Sequence, residues 1–293
     1  MTNKNNTIVI VILAVIALDI FIWHQIFGSA SASVAHDYFL DVGQGDSELI
    51  IFPGNTKVMT DAGPDDKVLV SLASAMPPDD TYIDVAIISH PQADHFNGFN
   101  YVLDHYRVGA FIYNGRDDDP PNAQWSGLKA KIAAKGIPFV TLGAGDKIHI
   151  GNGSSSDEID ILSPILAFDQ SAELNDTGLV ELIKTPGLRT LLTADTGSNV
   201  EDWLVENRAD LRADVLKVPH HGSNYASDAA FLRAVAPRVA VIEVGAKNTY
   251  GHPGKDTLAR LASSTRAAVY RTDQNGTVEV WAEKGKVKIK KEK

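Results

Sequence analysis

The chain of 293 residues is long enough for one large domain or two small ones, and its 44% apolar and 8% aromatic content suits a sizeable core. A formal net charge of −10 argues against a broad non-specific nucleic-acid surface, but not against a local basic groove or a metal-centred phosphate site. The absence of cysteine excludes disulfides, thiolate metal sites and cysteine nucleophiles, and leaves the compartment open.

At the N-terminus, Lys4 precedes an apolar run from Ile8 to Leu18, which resumes after Asp19 through Ile20, Phe21, Ile22 and Trp23. The small residues Gly28-Ser29-Ala30-Ser31-Ala32 follow, completing the order of a secretory signal with an A-x-A cleavage site. An uncleaved membrane anchor fits the same residues, with Asp19 near its outer end. In both cases Lys4 stays cytoplasmic and the remainder is exported. Residues 1–35 are therefore expected to be a leader or anchor, and 36–293 a folded domain, secreted or held at the membrane outside the cytoplasm.

Strands are predicted at Asp37 to Val42, Ser47 to Phe52 and Lys57 to Thr60, the last ending in Asp61-Ala62-Gly63-Pro64. A helix over Lys67 to Ala75 stops at Pro77-Pro78. The β-branched run Asp84 to Ile88 then feeds Ser89-His90-Pro91-Gln92-Ala93-Asp94-His95. Three potential ligands arrive within six residues at a strand end. Imidazole and carboxylate together suit Zn²⁺ or Mn²⁺. A helix over Phe96 to Tyr106 and a strand over Val108 to Tyr113 follow. Asp117 to Pro121 reads as a surface loop and Gln124 to Lys135 as a helix. Short strands are expected at Phe139 to Leu142, Lys147 to Ile150 and Ile159 to Leu162, with Gly151 to Asp157 as a hairpin or insertion. In the second half, the hairpin of Leu179 to Thr185 with Arg189 to Thr193 ends in Ala194-Asp195-Thr196-Gly197. Val215 to Pro219 runs into His220-His221-Gly222-Ser223, and Val239 to Val244 leads toward Tyr250-Gly251-His252-Pro253. A helix over Asp256 to Ser263 and strands at Ala267 to Arg271, Thr277 to Trp281 and Val287 to Lys290 complete the chain. The basic Lys284 to Lys293 run reads as a solvated terminal strand. Strands precede helices in both halves, so two sheets between helices is the natural packing.

Acidic or imidazole groups thus stand at five strand ends: Asp61, the His90 to His95 motif, Asp195, His220/His221 and His252. The segments FLDVGQGDS, TDAG, SHPQADHFNG, LLTADTG, LKVPHHGS, YGHP and RTDQNG resemble the metallo-β-lactamase fold superfamily. More narrowly, their order is similar to that of the C-terminal hydrolase domain of ComEC-type competence proteins. The resemblance covers roughly Asp37 to Lys290. The long polytopic channel of those proteins has no counterpart in this sequence, so a stand-alone ComEC-like hydrolase is expected.

The resemblance implies an α/β fold, an αββα four-layer sandwich with a metal site along the edge between its sheets. It implies that Asp94, His95, Asp195 and one histidine of the pair, His221 by preference, hold a divalent ion. His220 would then steady a developing oxyanion. His90 would serve a second ion, with Asp195 bridging the two. Asp61 and Asp41, carboxylates at strand ends, would orient a ligating histidine, although a capping or turn role suits Asp61 equally. The superfamily pattern HxHxDH has Gln92 at its middle position here, and no histidine lies between His149 and His220. Gln92 and Asn175 amide oxygens are weak replacements that suit Mn²⁺ or Mg²⁺ better than Zn²⁺. One tight ion, alone or with a labile partner, is expected.

With such an ion, Asp94 would accept the proton of a water and His252 would protonate a leaving group, unless His252 is only a packed loop residue. Gly222 and Ser223 would meet a substrate oxygen. His24, His36, His105 and His149 fall outside every motif. A phosphodiesterase or nuclease acting on DNA or a related phosphodiester is the first reading, because ComEC-type domains degrade the strand that is not imported. A β-lactamase- or lactonase-like acyl hydrolase is the second, and a non-catalytic binding module the third.

Overall fold

The computed structural model describes residues 16–19, 34–117, 122–151, 157–169, 171–207 and 210–293. Most of the predicted leader, including Lys4 and Gly28 to Ala32, lies outside them, as do most of the 117–121 loop and of the 151–157 connection. Among the described residues no helix is long and apolar enough to cross a membrane.

Among the described residues, fifteen strands form two sheets. Their ranges are β1 (His36–Phe39), β2 (Glu48–Ile51), β3 (Lys57–Thr60), β4 (Tyr82–Ile88), β5 (Arg107–Tyr113), β6 (Phe139–Thr141), β7 (Lys147–His149) and β8 (Glu158–Ser163). β9 (Val180–Thr185), β10 (Leu188–Leu192), β11 (Val215–Lys217), β12 (Val239–Ile242), β13 (Ala268–Arg271), β14 (Val278–Glu283) and β15 (Lys286–Lys291) follow. One sheet has the order β15-β14-β1-β2-β3-β4-β5-β6, the other β13-β12-β11-β10-β9-β8-β7. Side chains alternate across each strand, so every strand feeds two layers. Phe39, Ile50, Val58 and Ile87 of the first sheet meet Ile183, Leu192, Val215 and Val241 of the second in a central apolar layer. The opposite face of the first sheet packs under the helices Lys67–Ala75, Phe99–His105 and Ala123–Ala134 through Leu49, Met59, Leu72, Val102 and Leu128. The second sheet is covered likewise by Ser198–Asn207, Ala229–Val235 and Lys255–Ser264 through Leu216, Val200, Leu204, Phe231 and Leu261. Three apolar layers separate four structural ones, which makes an αββα sandwich.

The expected helix over 96–106 is in fact broken. A short turn, Ala93–Phe96, precedes Phe99–His105. The break falls at Gly98, where an added Cβ would stand 1.8 Å from the Ala62 carbonyl oxygen. The motif is thereby pressed against the turn after β3.

Asp37 on β1 is among the polar groups buried between the sheets, and it accepts a hydrogen bond from Thr190 Oγ1 on β10. Burial pushes its carboxyl up to about 7, only partly offset by that bond. The folded chain therefore keeps a proton that the unfolded chain gives up near pH 4. Stability falls as pH rises across that window, by roughly 1.4 kcal/mol per pH unit for this group. Asp37→Asn is expected to flatten the fall between about pH 4 and pH 7. Urea midpoints measured along that range check it, and an unchanged slope would exclude Asp37 as the titrating group.

Candidate metal centre

Parallel pairing explains why the polar strand ends meet. β3, β4 and β5 run parallel, as do β10, β11 and β12. Their C-terminal ends therefore lie on shared edges, where ligand sites of α/β sheets form. β3 delivers Asp61, β4 the His90 to His95 motif, β10 Asp195 and β11 the His220-His221 pair. The loops lace together through Asp61 N–H to Ile87 O (2.8 Å), Ala62 N–H to His95 O (2.7 Å) and His220 N–H to Ala194 O (3.1 Å). Asp61, Ala194, His220 and His221 all adopt positive φ, near 46–54°. Such left-handed backbone is costly outside glycine and concentrates at functional sites.

Ligand atoms of Asp94, His95, Asp195 and His221 all lie within 4.8 Å of one another. Asp195 Oδ2 stands 3.5 Å from His95 Nε2 and 3.3 Å from His221 Nε2, and Asp94 Oδ2 stands 3.4 Å from His221 Nε2. Ligands about 2.0–2.2 Å from a tetrahedral ion stand about 3.3–3.6 Å apart, so these separations are the edges of such a polyhedron. His95 Nε2, His221 Nε2 and Asp195 Oδ1 are buried with no hydrogen-bond partner among the described residues. Orphaned buried polar atoms of this kind are costly unless something else meets them. The donor set fits a divalent cation.

The electrostatics agree. Burial works against charge on Asp195, yet His221 and His95 hold its carboxyl well below the usual range. Burial likewise opposes protonation of His221, but Asp195 and Asp46 raise it to about 10. His95 is raised well above its ordinary value by Asp195, Asp61 and Asp46 against the same burial. The carboxylates thus draw positive charge onto the imidazoles, the compensation that a bound cation provides.

Behind the ligand atoms, each histidine is oriented from its other nitrogen. Asp61 Oδ2 accepts from His95 Nδ1 at 2.7 Å, and Ser89 fixes Asp61 through N–H (2.9 Å) and Oγ (2.6 Å). His221 Nδ1 faces Asp46 Oδ1 at 3.1 Å and the Glu243 carbonyl at 3.0 Å. A carboxylate accepts only, so Nδ1 carries the proton and Nε2 is left for an ion. Asp46 is buried, ion-paired with the equally buried Lys217, and reached by a tight turn. At Gly45 a Cβ would lie 2.2 Å from the Asp94 carbonyl oxygen, so only glycine lets this turn approach the motif.

Two expectations need correction, the roles of Asp41 and of Gly222 with Ser223. Asp41 does not orient a histidine; its carboxylate accepts from Gly43 N–H and pairs with Lys293 Nζ at 2.9 Å, and Asp46 faces His221 instead. Ser223 does not offer its N–H to a substrate, because that group closes the turn on the His220 carbonyl at 2.8 Å. Its Oγ accepts Tyr225 N–H, and neither Ser223 nor Gly222 lines the cleft. Gln92 and Asn175 pair with each other, Nε2 to Oδ1 at 2.5 Å, and Asn175 Nδ2 lies 3.5 Å from His220 Nε2. His90 stands beside the four-residue group, its ring centroid 4.2 Å from that of His95, with Nε2 unpartnered. Burial first, then His95, lowers it to about 4, so it is a neutral imidazole. His220 is partly exposed, with Nε2 3.9 Å from Asp195 Oδ2.

The centre opens into a cleft of about 580 Å³ lined by Asp94, Asp195, His220, His221, His252 and Tyr250, among others. His252 reaches it on a loop pinned by Asn248, whose Oδ1 accepts His252 N–H and whose Nδ2 donates to His252 O, each at 2.9 Å.

A family model described as the metallo-beta-lactamase superfamily matches residues 40–245. ComE operon protein 3 of Bacillus subtilis (strain 168) is 27% identical over 260 residues, which cover 82% of this chain and 32% of that protein. Competence protein ComA of Neisseria gonorrhoeae is 26% identical over 210 residues, covering 71% of this chain and 27% of that protein. The chain thus spans about a third or less of the length of these curated relatives. Among solved structures, the metallo-beta-lactamase fold protein YhfI from Bacillus subtilis aligns at a TM-score of 0.54 and 12% identity, over 87% of this chain and 100% of that one. A model match over most of the folded residues, on strands that bring Asp94, His95, Asp195 and His221 to one sheet edge, shows that the chain belongs to the metallo-beta-lactamase superfamily.

Proposed function

We propose that this chain is an exported, metal-dependent phosphodiesterase of the ComEC-like kind, acting on DNA or a related phosphodiester. The observation that carries this reading is the Gln92–Asn175 amide pair beside the four-ligand group, where the resemblance to zinc lactamases of this fold would lead one to expect imidazoles. Oxygen-rich ligation beside one compact four-ligand group favours phosphoryl transfer over acyl transfer. The similarity to competence proteins supports the same choice.

Asp94, His95, Asp195 and His221 would hold the tight ion, Mn²⁺ or Zn²⁺, with Mg²⁺ as the further candidate. His90, Gln92 and Asn175 would flank a weaker second position. When bound, such an ion lowers the pKa of a water toward neutrality and polarises a phosphoryl oxygen. Asp94, the most exposed of the four candidate ligands, is placed to take the proton of the attacking water. Burial, then His221 and His220, lowers the pKa of His252, so to pass a proton to the departing oxygen this cleft-lining ring would first have to take one up. His220 is placed to meet a substrate oxygen. Residues 1–35 would export the domain 36–293 and then release it or tether it to the membrane.

The test is a hydrolysis panel on chelated, purified chain reloaded singly with Mn²⁺, Mg²⁺ or Zn²⁺. Cleavage of a DNA oligonucleotide, abolished by His95→Ala, is expected. Lactam or lactone turnover without phosphodiester cleavage would establish the acyl-hydrolase reading instead.

A further inference from the structure

We infer that Tyr250 is a nucleobase-stacking subsite at the mouth of the metal cleft, with Lys67 and Lys247 as its phosphate-facing cations. The inference deepens the phosphodiesterase reading and rests on it for the identity of the substrate. Tyr250 is 70% exposed, an unusual setting for a large aromatic ring, and it lines the same cleft as Asp94, Asp195 and His221. One face is covered by the His252 ring, at 5.8 Å between centroids and 14° between planes, so the other face is the one presented.

The loop that carries the ring is pinned before any ligand arrives. Asn248 ties its own loop to Gly245 O (2.8 Å) and to both backbone groups of His252. Gly245 N–H in turn donates to Gln44 Oε1 at 3.1 Å, which joins this loop to the turn that carries Asp46. A stacking surface on a loop fixed in advance loses less freedom on binding. Lys67 and Lys247, both exposed, line the cleft in a chain whose net charge is −10. Asp65 also lines it, with Oδ1 accepting Lys67 N–H at 3.0 Å, which turns that carboxylate toward the backbone.

Aromatic faces that accept successive bases beside a cationic path are the common physical basis of single-strand nucleic-acid binding. A base on Tyr250 must have left its own duplex stack, so the natural ligand of this subsite is an unpaired nucleotide. The phosphate next to that base would then lie toward the ligand cluster.

The experiment uses the full chain, chelated so that nothing is cleaved, and fluorescence anisotropy with two labelled probes. One is a short single-stranded DNA; the other is an abasic sugar–phosphate strand of equal length. Tyr250→Ala is expected to weaken binding of the base-bearing strand about tenfold and to leave the abasic strand unchanged. Tyr250→Phe should bind both as the wild type does. Lys67→Ala with Lys247→Ala should weaken both probes alike and reduce the salt dependence. Equal weakening of both probes by Tyr250→Ala, no weakening of either, or a wild type that does not prefer the base-bearing strand overturns the subsite. Binding that follows the expected pattern, with no cleavage under any metal, would sink the phosphodiesterase reading and leave the subsite standing. Cleavage that is indifferent to Tyr250 would do the reverse.

Discussion

Asp195→Ala is expected to abolish tight metal binding, lowering affinity by at least about 100-fold, while His105→Ala leaves occupancy unchanged. The effect should be this large because one oxygen, Asp195 Oδ2, lies within 3.5 Å of both His95 Nε2 and His221 Nε2. Removing it takes away the carboxylate that closes the polyhedron and also the main charge that draws positive charge onto both imidazoles. His105 is an exposed residue at the end of its helix and touches none of these groups. Metal per chain, measured by elemental analysis after dialysis against a defined metal buffer, decides the matter. Equal occupancy in the two variants would reject the ligand assignment. Asp46→Asn gives a graded companion measurement. It leaves all four candidate ligands in place but weakens the acceptor facing His221 Nδ1, so affinity should fall about 10- to 100-fold.

Much of this centre was legible in the sequence because polar residues at the ends of β-branched runs stand out. His90 to His95, Asp195 and His220-His221 follow buried strands directly, and parallel pairing then brings them together. The layer beneath was not legible for an equally physical reason. Glu48, Lys217 and Glu243 each continue the inward-facing alternation of Ile50, Val215 and Val241, one step nearer the site. In one strand alone, a charge at such a position reads as a surface residue. Only the two-sheet packing reveals that three of them face one another. The sequence signal that was present lay in the motifs themselves, since Asp46 closes GQGD and Lys217 opens the run into the histidine pair. Asp41 drew attention instead because it ends an apolar run. The helices Ser198–Asn207 and Ala229–Val235 are likewise faint in the sequence. The first buries only Val200, Glu201 and Leu204, so its apolar stripe is too thin to announce a helix.

The buried charge beneath the centre carries the largest expected loss of stability. Lys217 is fully buried and ion-paired with Asp46, and its Nζ donates to Ala194 O at 2.8 Å. It also stands 3.7 Å from Asp195 Oδ1. Burial alone would depress the Lys217 pKa, but Asp46, then Asp195, Glu48 and Glu243 raise it above its ordinary value. A cation with a raised pKa contributes stability that is fully present below its unfolded value near 10.5, so the pair is intact at neutral pH. Burial, reinforced by Asp46, pushes Glu48 well above the carboxylate range, and burial with Glu48 does the same to Glu243. Both shifts favour the protonated carboxyls, whereas Asp46 is held below its ordinary value and is the anion paired with Lys217. Lys217→Met removes the balancing charge and leaves Asp46 buried without its cation, a loss of roughly 3–5 kcal/mol. Combining it with Asp46→Asn should recover part of that loss, because the double variant removes both charges of the pair together. Urea unfolding of the wild type, both single variants and the double variant in chelator measures the coupling apart from any bound ion. Additive losses in the double variant would show that Lys217 and Asp46 act independently, and Asp46 would then owe its charge to the histidines alone.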